Sequence, residues 1–565
     1  MKVWFSRLVL TTLLLSVVLF PLVIAQETQY RKLSVAEYRD KMKAGWIGQI
    51  AGVCWGAPTE FKWKTKIIPE ADMPVWKPEM INNAFGQDDL YVEMTFLRTL
   101  EEHGIDVSLR QAGIDFANSE YQLWHANVEG RKNLRRGIAP PDSSHPTLNK
   151  CADDIDYQIE ADYAGLIAPG MPNVPIALGQ KFGRLMNYGD GVYGGIFVGG
   201  MYAEAFFETD IKKIIAAGLK CIPQESQYAE MVRDVVKWYD ENPNDWFSCW
   251  HKIEEKYQKN LNYRRHSCNP GEFNIDAKIN GAYILVGMLY GKGDLDQTIV
   301  ISTRCGQDSD CNPSNAGGVL FTTLGFSKLP ARFSEKLDET KKFSFTAYNM
   351  PGLIDVCEKL TRLIILREGG RIEKDASGAE VFVIPVKAPV PPKLELSWAP
   401  GPIANSLFTD EERAKIRFQG FRTIEEAVKA TFPGWTVKNC GPDMDPGKRD
   451  DYRGKKDVVM THPLNREVPC SLERRIDVPT GKKTILKAVV SNHPGHDWEL
   501  VFRVNGSLQK TVVVDEALTK GGWTEVVFDL TAYAGSNIQI ELENKANGWS
   551  CEAGYWASLS VENTD

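Results

Sequence analysis

The sequence predicts an all-α domain followed by an antiparallel β-sandwich or jelly roll, and three observations carry that prediction. At 565 residues the chain exceeds the usual single-domain size. From about residue 35 to about 375, apolar residues recur at three- and four-residue spacing. Beyond about residue 430 they come in short alternating runs punctuated by turn residues.

Taken in order, residues 1–25 read as a signal peptide. Lys2 and Arg7 flank the start of an apolar run, Leu8–Ile24, and Val23-Ile24-Ala25 offers a small-x-small cleavage pattern. The mature chain is expected to start near Gln26, in a secreted or periplasmic location; the alternative is that the somewhat long apolar run stays uncleaved as a membrane anchor. No later segment is apolar enough to span a bilayer, so no membrane contact is expected beyond that signal.

Residues 26–380 form the helical domain, with helices expected over Ser34–Trp46, Asp89–His103, Asp210–Ala217, Ser226–Tyr239 and Ile279–Tyr290. Gly194–Ala205 and Ala316–Leu324 are rich in small residues and read as central helices, where backbones approach closely. Residues 381–432 are a connector that opens VFVIPVKAPVPPKLELSWA, too rich in proline to hold a helix. Residues 433–565 form the sandwich, with strands expected at Thr484–Ser491, Trp498–Val504, Gln509–Val514, Trp523–Leu530 and Asn537–Glu543. Asn505-Gly506 is a two-residue hairpin signal. Trp498, Trp549 and Trp556 either line a sugar-binding face or fill the sandwich core.

A net charge of -8 without a basic patch excludes a nucleic-acid partner. The 11 cysteines include no CxxC pair, which excludes a thiolate zinc site and a dense disulfide framework. Cys305 and Cys311 are the pair expected to be bridged if any is; otherwise buried thiols are expected.

Two acidic clusters carry the functional signal. Asp88-Asp89 and Asp308-Ser309-Asp310 each follow or open on the tripeptide Gly-Gln-Asp, and each runs into an apolar helix. Either cluster alone reads as a helix cap. Together they predict a site for a hard divalent cation, because stacked carboxylates resist joint ionisation unless a cation lies between them. Asn312-Pro313 is expected at the N-cap and first turn of the second helix. An EF-hand is excluded by Pro313 and Val319 at its glycine and glutamate positions.

Gly189-Asp190-Gly191-Val192-Tyr193-Gly194 matches GxGxxG but follows no strand, so it reads as a loop where backbone approaches a ligand rather than a dinucleotide fingerprint. In Cys151–Tyr163, Asp153, Asp156 and Glu160 share one helical face: either a solvated acidic stripe, or acids reaching a substrate sugar.

The set AGVCWGAPTEF (51–61), GQDDLYVEMTFL (86–97), YGDGVYGG (188–195) and CGQDSDCNPSNAGGVLFTTLGF (305–326) resembles the ADP-ribosylglycohydrolase family over most of residues 35–345. The resemblance implies an orthogonal helical bundle holding two magnesium or manganese ions. Asp88, Asp89, Asp308 and Asp310 fall at ligand positions, and Glu60 falls beside the substrate ribose. With Asp308, Glu60 is the expected catalytic carboxylate, and Glu160 or Asp156 is an additional acid. Gly189, Asp190, Gly191 and Tyr193 fall where a glycine loop contacts substrate.

Several positions depart from the family pattern: Gln87 and Leu90 in the first acidic motif, Ser309 and Cys311 in the second, and Val53 upstream. Because a thiol suits a hard cation poorly, one metal site is expected to be weakened. The implied reaction is hydrolysis of an anomeric C–N or C–O bond of an ADP-ribosyl or related small-molecule substrate. The alternatives are hydrolysis of non-nucleotide furanosides or polysaccharides, and a non-catalytic sugar- or nucleotide-binding protein.

Overall fold

The structure is a computed structural model describing residues 29–564, apart from Pro270, Gln419 and Arg422. The expected signal peptide lies outside the described residues. No helix among the described residues is long and apolar enough to cross a membrane.

The helical domain is organised around the helix Val35–Gly56, whose start is capped by Ser34 Oγ accepting from Glu37 N at 3.1 Å. From Ala44 to Gly56 it is buried without interruption, as befits a helix enclosed by others. Glycine makes that enclosure possible. A Cβ at Gly52 would lie 2.2 Å from Pro313 O, so this helix presses directly on the helix Cys311–Leu324. The helix runs ten residues beyond its expected end at Trp46, because tertiary packing overrides the poor propensity of its glycine-rich tail. Elsewhere helices follow the pattern closely, as in Asp88–His103, Ile211–Leu219, Gln227–Glu241 and Ala277–Gly291.

A small antiparallel sheet not expected from periodicity closes this domain. β1 (Tyr30–Ser34) pairs with β3 (Glu380–Pro385), which pairs with β2 (Arg371–Lys374). Thus Val381–Pro385, at the start of the proline-rich stretch, is a strand and not free connector.

After β3 the chain becomes a strap laid along the helical domain. Val390 N donates to Asn173 Oδ1 at 2.8 Å, Glu395 N to Tyr193 Oη at 2.7 Å, and Gly401 N to Tyr188 Oη at 3.2 Å. Ser406 N reaches Asp142 Oδ2 at 2.6 Å, and Arg184 forms an ion pair with Glu395. Proline removes donors and extends the chain, while the domain beneath supplies partners for the amides that remain.

The C-terminal region is two five-stranded antiparallel sheets. Their strands are β4 (Thr436–Lys438), β5 (Gly447–Tyr452), β6 (Lys455–Thr461), β7 (Cys470–Asp477), β8 (Lys483–Ser491), β9 (Trp498–Val504), β10 (Ser507–Val514), β11 (Thr524–Asp529), β12 (Asn537–Lys545) and β13 (Gly554–Thr564). One sheet has the order β10-β9-β12-β7-β4 and the other β11-β8-β13-β6-β5. Leu472, Leu500 and Leu542 of the first share a core with Leu486, Val490 and Trp556 of the second, which makes the pair a sandwich. Asn505 and Gly506 both have positive φ, 50° and 77°, and form the β9–β10 hairpin turn. Trp498 and Trp556 are wholly buried core residues, and only Trp549 of the three tryptophans reaches the surface.

The cysteine expectation is corrected in its detail. Cys151 and Cys268 are bridged, whereas Cys305 and Cys311 are free, buried thiols, as are most of the others.

Candidate active site

The glycine contacts of the core helix bring the two acidic motifs together. At its end, a Cβ on Gly56 would lie 2.1 Å from Ser309 O, so the 57–61 turn is held against the second motif. Thr59 Oγ1 and Ser309 Oγ share a hydrogen bond of 2.8 Å, and Phe61 N donates to Gln307 O at 3.1 Å. Asp88 and Asp89 occupy the first turn of Asp88–His103, after Gln87 as N-cap. Cys311 Sγ donates to Asp89 Oδ2 at 3.3 Å, joining the two motifs across 222 residues. The second helix starts earlier than expected, with Asp310 as N-cap; Asn312 lies within its first turn and donates to Asn280 Oδ1 at 2.9 Å.

Asp89, Asp308 and Asp310 are buried, Asp88 is half-buried, and Glu60 is the exposed member. Burial foremost, and then the charges of neighbouring carboxylates, push these groups upward. Asp310 rises to about 6, and Asp89 and Asp308 rise well above the usual carboxylate range. The carboxyl end of Glu60 is crowded by the cluster although the residue is exposed. Its burial there, with the charges of Asp310 and Asp88, raises it to about 8. No lysine or arginine among the described residues contributes to holding these five carboxyls ionised.

Asp89 Oδ1 and Asp308 Oδ1 are buried without a hydrogen-bond partner. Orphaned anionic oxygens in a dry setting are costly, and a divalent cation removes that cost. Asp308, Asp310 and Cys311 offer ligand atoms within 4.8 Å of one another. The set is oxygen-rich and suits a hard ion such as magnesium or manganese. The Cys311 thiol, pushed up by burial and by Asp308, stays protonated. A second group, His125, Asp154 and Cys268, does not fit in the same way, because the Cys268 sulfur is committed to its disulfide.

Asp156 and Glu160 lie beside this cluster, and the segment is not the single amphipathic helix expected. It breaks into Asp156–Ile159 and Asp162–Leu166, with Asp153, Asp156 and Glu160 all buried, so the solvated-stripe alternative falls away. Asp156 accepts from Ala126 N and Asn127 N at 3.2 and 2.9 Å, and Asn127 Nδ2 donates to Glu160 Oε1. Burial raises Asp156 to about 7, and burial followed by the charge of Asp156 pushes Glu160 well above the usual carboxylate range.

Behind them sit polar groups that the sequence pattern does not single out. Glu93 accepts from Gln49 Nε2 at 2.6 Å and from Tyr163 N at 2.8 Å, and Asp162 accepts from Asn315 Nδ2 at 2.7 Å. The signal that could find them is a charged or amide side chain inside an apolar helix, as in YVEMTFL and NPSNAGGVL.

The glycine loop sits under the strap. A Cβ on Gly189 would lie 3.0 Å from both Glu395 O and Ser397 Oγ, and one on Gly191 would lie 2.4 Å from Ala152 O. Tyr193 Oη donates to Lys393 O at 3.1 Å. Asp190 Oδ2 is 3.5 Å from the buried Lys278 ammonium. Gly189 and Tyr193 thus face the strap, Asp190 faces Lys278, and Gly191 packs on Ala152 and Asn187; all four are buried.

Fold and site together define a hydrolase-like helical domain built around a carboxylate centre. The chain belongs to the ADP-ribosylglycohydrolase family, whose model matches residues 34–368. It is similar to a solved ADP-ribosylglycohydrolase-related protein complex at 14% identity, covering 58% of this chain and 99% of that one, with a TM-score of 0.39. It is also similar to a family 35 carbohydrate binding module from Clostridium thermocellum at 17% identity, covering 22% of this chain and 90% of that one, with a TM-score of 0.17. No curated protein matches the chain.

Proposed function

We propose that the protein is an exported, divalent-metal-dependent glycosyl hydrolase that cleaves an anomeric C–N or C–O bond. The observation that carries this reading is the convergence of Asp88, Asp89, Asp308 and Asp310 from two distant Gly-Gln-Asp motifs, with buried orphan oxygens and no paired lysine or arginine among the described residues. Those four aspartates would hold magnesium or manganese, with Cys311 a poor contributor. When bound, the ion supplies the positive charge that lets these carboxylates ionise together and polarises the oxygens it holds.

Glu60, at the exposed lip, would be ionised once a bound ion offsets Asp310 and Asp88, and would then take the proton of an attacking water as that water's oxygen bonds to the anomeric carbon. The bond to the leaving group breaks in the same process; the leaving group takes up a proton from solvent, and Glu60 returns to solvent the proton it accepted, so that one water is consumed in all. Asp156, fixed by the amides of Ala126 and Asn127, and Glu160, fixed by Asn127, would orient sugar hydroxyls. Closely held geometry of this kind is what positioning residues contribute to rate.

One observation favours a non-nucleotide sugar over an ADP-ribosyl substrate. The glycine loop expected to touch substrate is already packed against Glu395 and Ser397 of the chain's own strap. Export is part of the proposal; a disulfide at Cys151–Cys268 suits an oxidising compartment. Peptide mapping of the N-terminus of protein recovered from culture medium or periplasm should find Gln26 first.

The test of the activity is hydrolysis of ADP-ribosylated peptides, aryl furanosides and glycans with and without magnesium, followed by mass spectrometry, with Asp308→Asn as control. Metal-dependent release of a sugar that the variant loses is the expected outcome. Equal activity of Asp308→Asn in chelator would sink the metal mechanism.

A further inference from the structure

A polar cavity of about 540 Å³ opens beside the helix Asp88–His103, lined among others by Thr95, Thr99, Asp115, Tyr121, Phe345 and Arg417. Two stretches of chain lead from it to the carboxylate centre. The first is the helix itself, which carries Asp88 and Asp89 at its start and Thr95 and Thr99 two to three turns on, about 10–17 Å along the axis. The second is the 121–127 segment, which begins at Tyr121 in the cavity wall and ends with the amides of Ala126 and Asn127 on Asp156. Tyr91 bridges the two stretches: its ring lies 5.0 Å from Tyr121 and 5.2 Å from Phe345, and its hydroxyl donates to Gln122 O at 3.3 Å.

Two large aromatics are exposed along this path, Trp124 at 51% and Phe345 at 58%. Phe345 also carries backbone strain, with φ of +60°, a conformation unusual for a bulky residue. Its loop is pinned at Ser344 N to Phe85 O, 2.9 Å, just ahead of the first acidic motif. The ring packs one side on Tyr91 and Tyr121 and leaves more than half of itself exposed at the cavity, so the held conformation presents an aromatic face that ligand contact would use.

We propose that this groove binds the distal sugars of a neutral oligosaccharide whose scissile end lies at the carboxylate centre. The inference rests on the glycosyl-hydrolase reading for its chemistry but not for its binding. The lining offers aromatic faces for the apolar side of sugar rings, and hydroxyls, carboxylates and guanidinium groups for their hydroxyls. Its charge disfavours an anion. Arg98 and Arg417 face three carboxylates, Glu102, Asp115 and Glu120, and the two arginines are paired with Glu102 at 2.6 Å and Glu120 at 3.3 Å. A pyrophosphate or uronate chain would meet Asp115, which is held by Thr99, Gln111 and His103, with no lysine or arginine left over among the described residues of the lining.

The test uses the full mature chain on an array of neutral oligosaccharides of increasing length, with ADP-ribose as the anionic comparison, and then calorimetric titration of whatever binds. Phe345→Gly removes the ring and relieves the strain at once, so its thermal midpoint should be unchanged or higher. Binding of the longer oligosaccharides should weaken at least tenfold in this variant and stay unchanged in Trp549→Ala of the sandwich. No oligosaccharide bound, binding indifferent to Phe345→Gly, or loss confined to Trp549→Ala would overturn the groove. So would ADP-ribose binding that falls in Phe345→Gly while no neutral glycan binds. Tight binding that needs Phe345, together with no hydrolysis of any substrate, would leave the groove standing and fail the catalytic reading instead.

Discussion

The helical domain buries two clusters of carboxylates, and they differ in one respect. Around Lys278, Asp153, Asp190 and Asp276 converge within 3.6, 3.5 and 3.1 Å of a single ammonium, all of them buried. Around Asp308, comparable crowding has no lysine or arginine paired with it among the described residues. In the first cluster burial raises Asp190 and Asp276, and with Lys278 pulling both back they sit at about 6 and about 7. Burial alone would lower Lys278, and the three carboxylates raise it instead. The first cluster carries its own cation, and although Asp153 Oδ2, Asp276 Oδ2 and Lys278 Nζ make no hydrogen bond, its ion pairs pin the chain at 153 to the helices Asp190–Ala205 and Ala277–Gly291. The second is complete only when something from outside joins it.

The largest expected effect comes from making the first cluster resemble the second. Lys278→Met leaves three buried carboxylates without a cation and should cost about 3–5 kcal/mol, the range for breaking a buried pair from one side. Urea denaturation of the purified variant measures it. Asp308→Asn is the mirror experiment: it removes one repelling carboxyl, so the metal-free protein should unfold at the same temperature or higher. A destabilisation as large as that of Lys278→Met would erase the distinction between the clusters.

Next comes supplying the missing cation. Magnesium or manganese at about 100 times its dissociation constant should stabilise the wild type by about 2.7 kcal/mol. Asp308→Asn should abolish the response and Lys278→Arg should leave it intact. A thermal scan with and without chelator reads both, and a wild type that ignores both metals would break the comparison.

A comparable effect comes from pH in the absence of metal. Asp310, Asp156 and Glu60 have folded values of about 6, 7 and 8, all above those of an unfolded chain near 4. Across that window the folded state holds protons that the unfolded state has released. Stability is therefore fully present below about pH 4 and falls as pH rises toward 8. The loss from Asp310 and Asp156 should be on the order of 4 kcal/mol between pH 5 and 8, with Glu60 adding little because it is exposed. Saturating magnesium should flatten the slope, which denaturation at three pH values would reveal.

How far the two clusters can be told apart in the sequence depends on what each is made of. The Asp308 centre is legible because its residues are adjacent in pairs and share the Gly-Gln-Asp lead-in. The Lys278 cluster is not, since Asp153, Asp190, Asp276 and Lys278 come from three separate stretches, and Asp276 serves ordinarily as an N-cap. The helices and most sandwich strands are legible from periodicity. The strap is not, because proline reports extension without saying what the chain lies against. The buried fate of Asp156 and Glu160 also escapes periodicity, which assigns a face to a helix but cannot see that this helix breaks at Glu160.

The finest probe of the comparison is one atom. Cys311 Sγ sits 3.3 Å from Asp89 Oδ2 and within ligand reach of Asp308 and Asp310, where a soft, protonated sulfur serves a hard cation badly. Cys311→Thr keeps a hydrogen-bond donor for Asp89 while replacing sulfur by oxygen. Magnesium affinity by calorimetry should tighten a few-fold, an effect of about 1 kcal/mol or less. Cys311→Val keeps the volume and branching of the threonine but removes the donor, so Asp89 loses its one side-chain partner and affinity should not improve. If threonine weakened binding as much as valine did, the sulfur would belong to the packing against Ile155 and Ile159. The ion would then be held by the aspartates from the side facing away from it, toward Glu60 and the cleft.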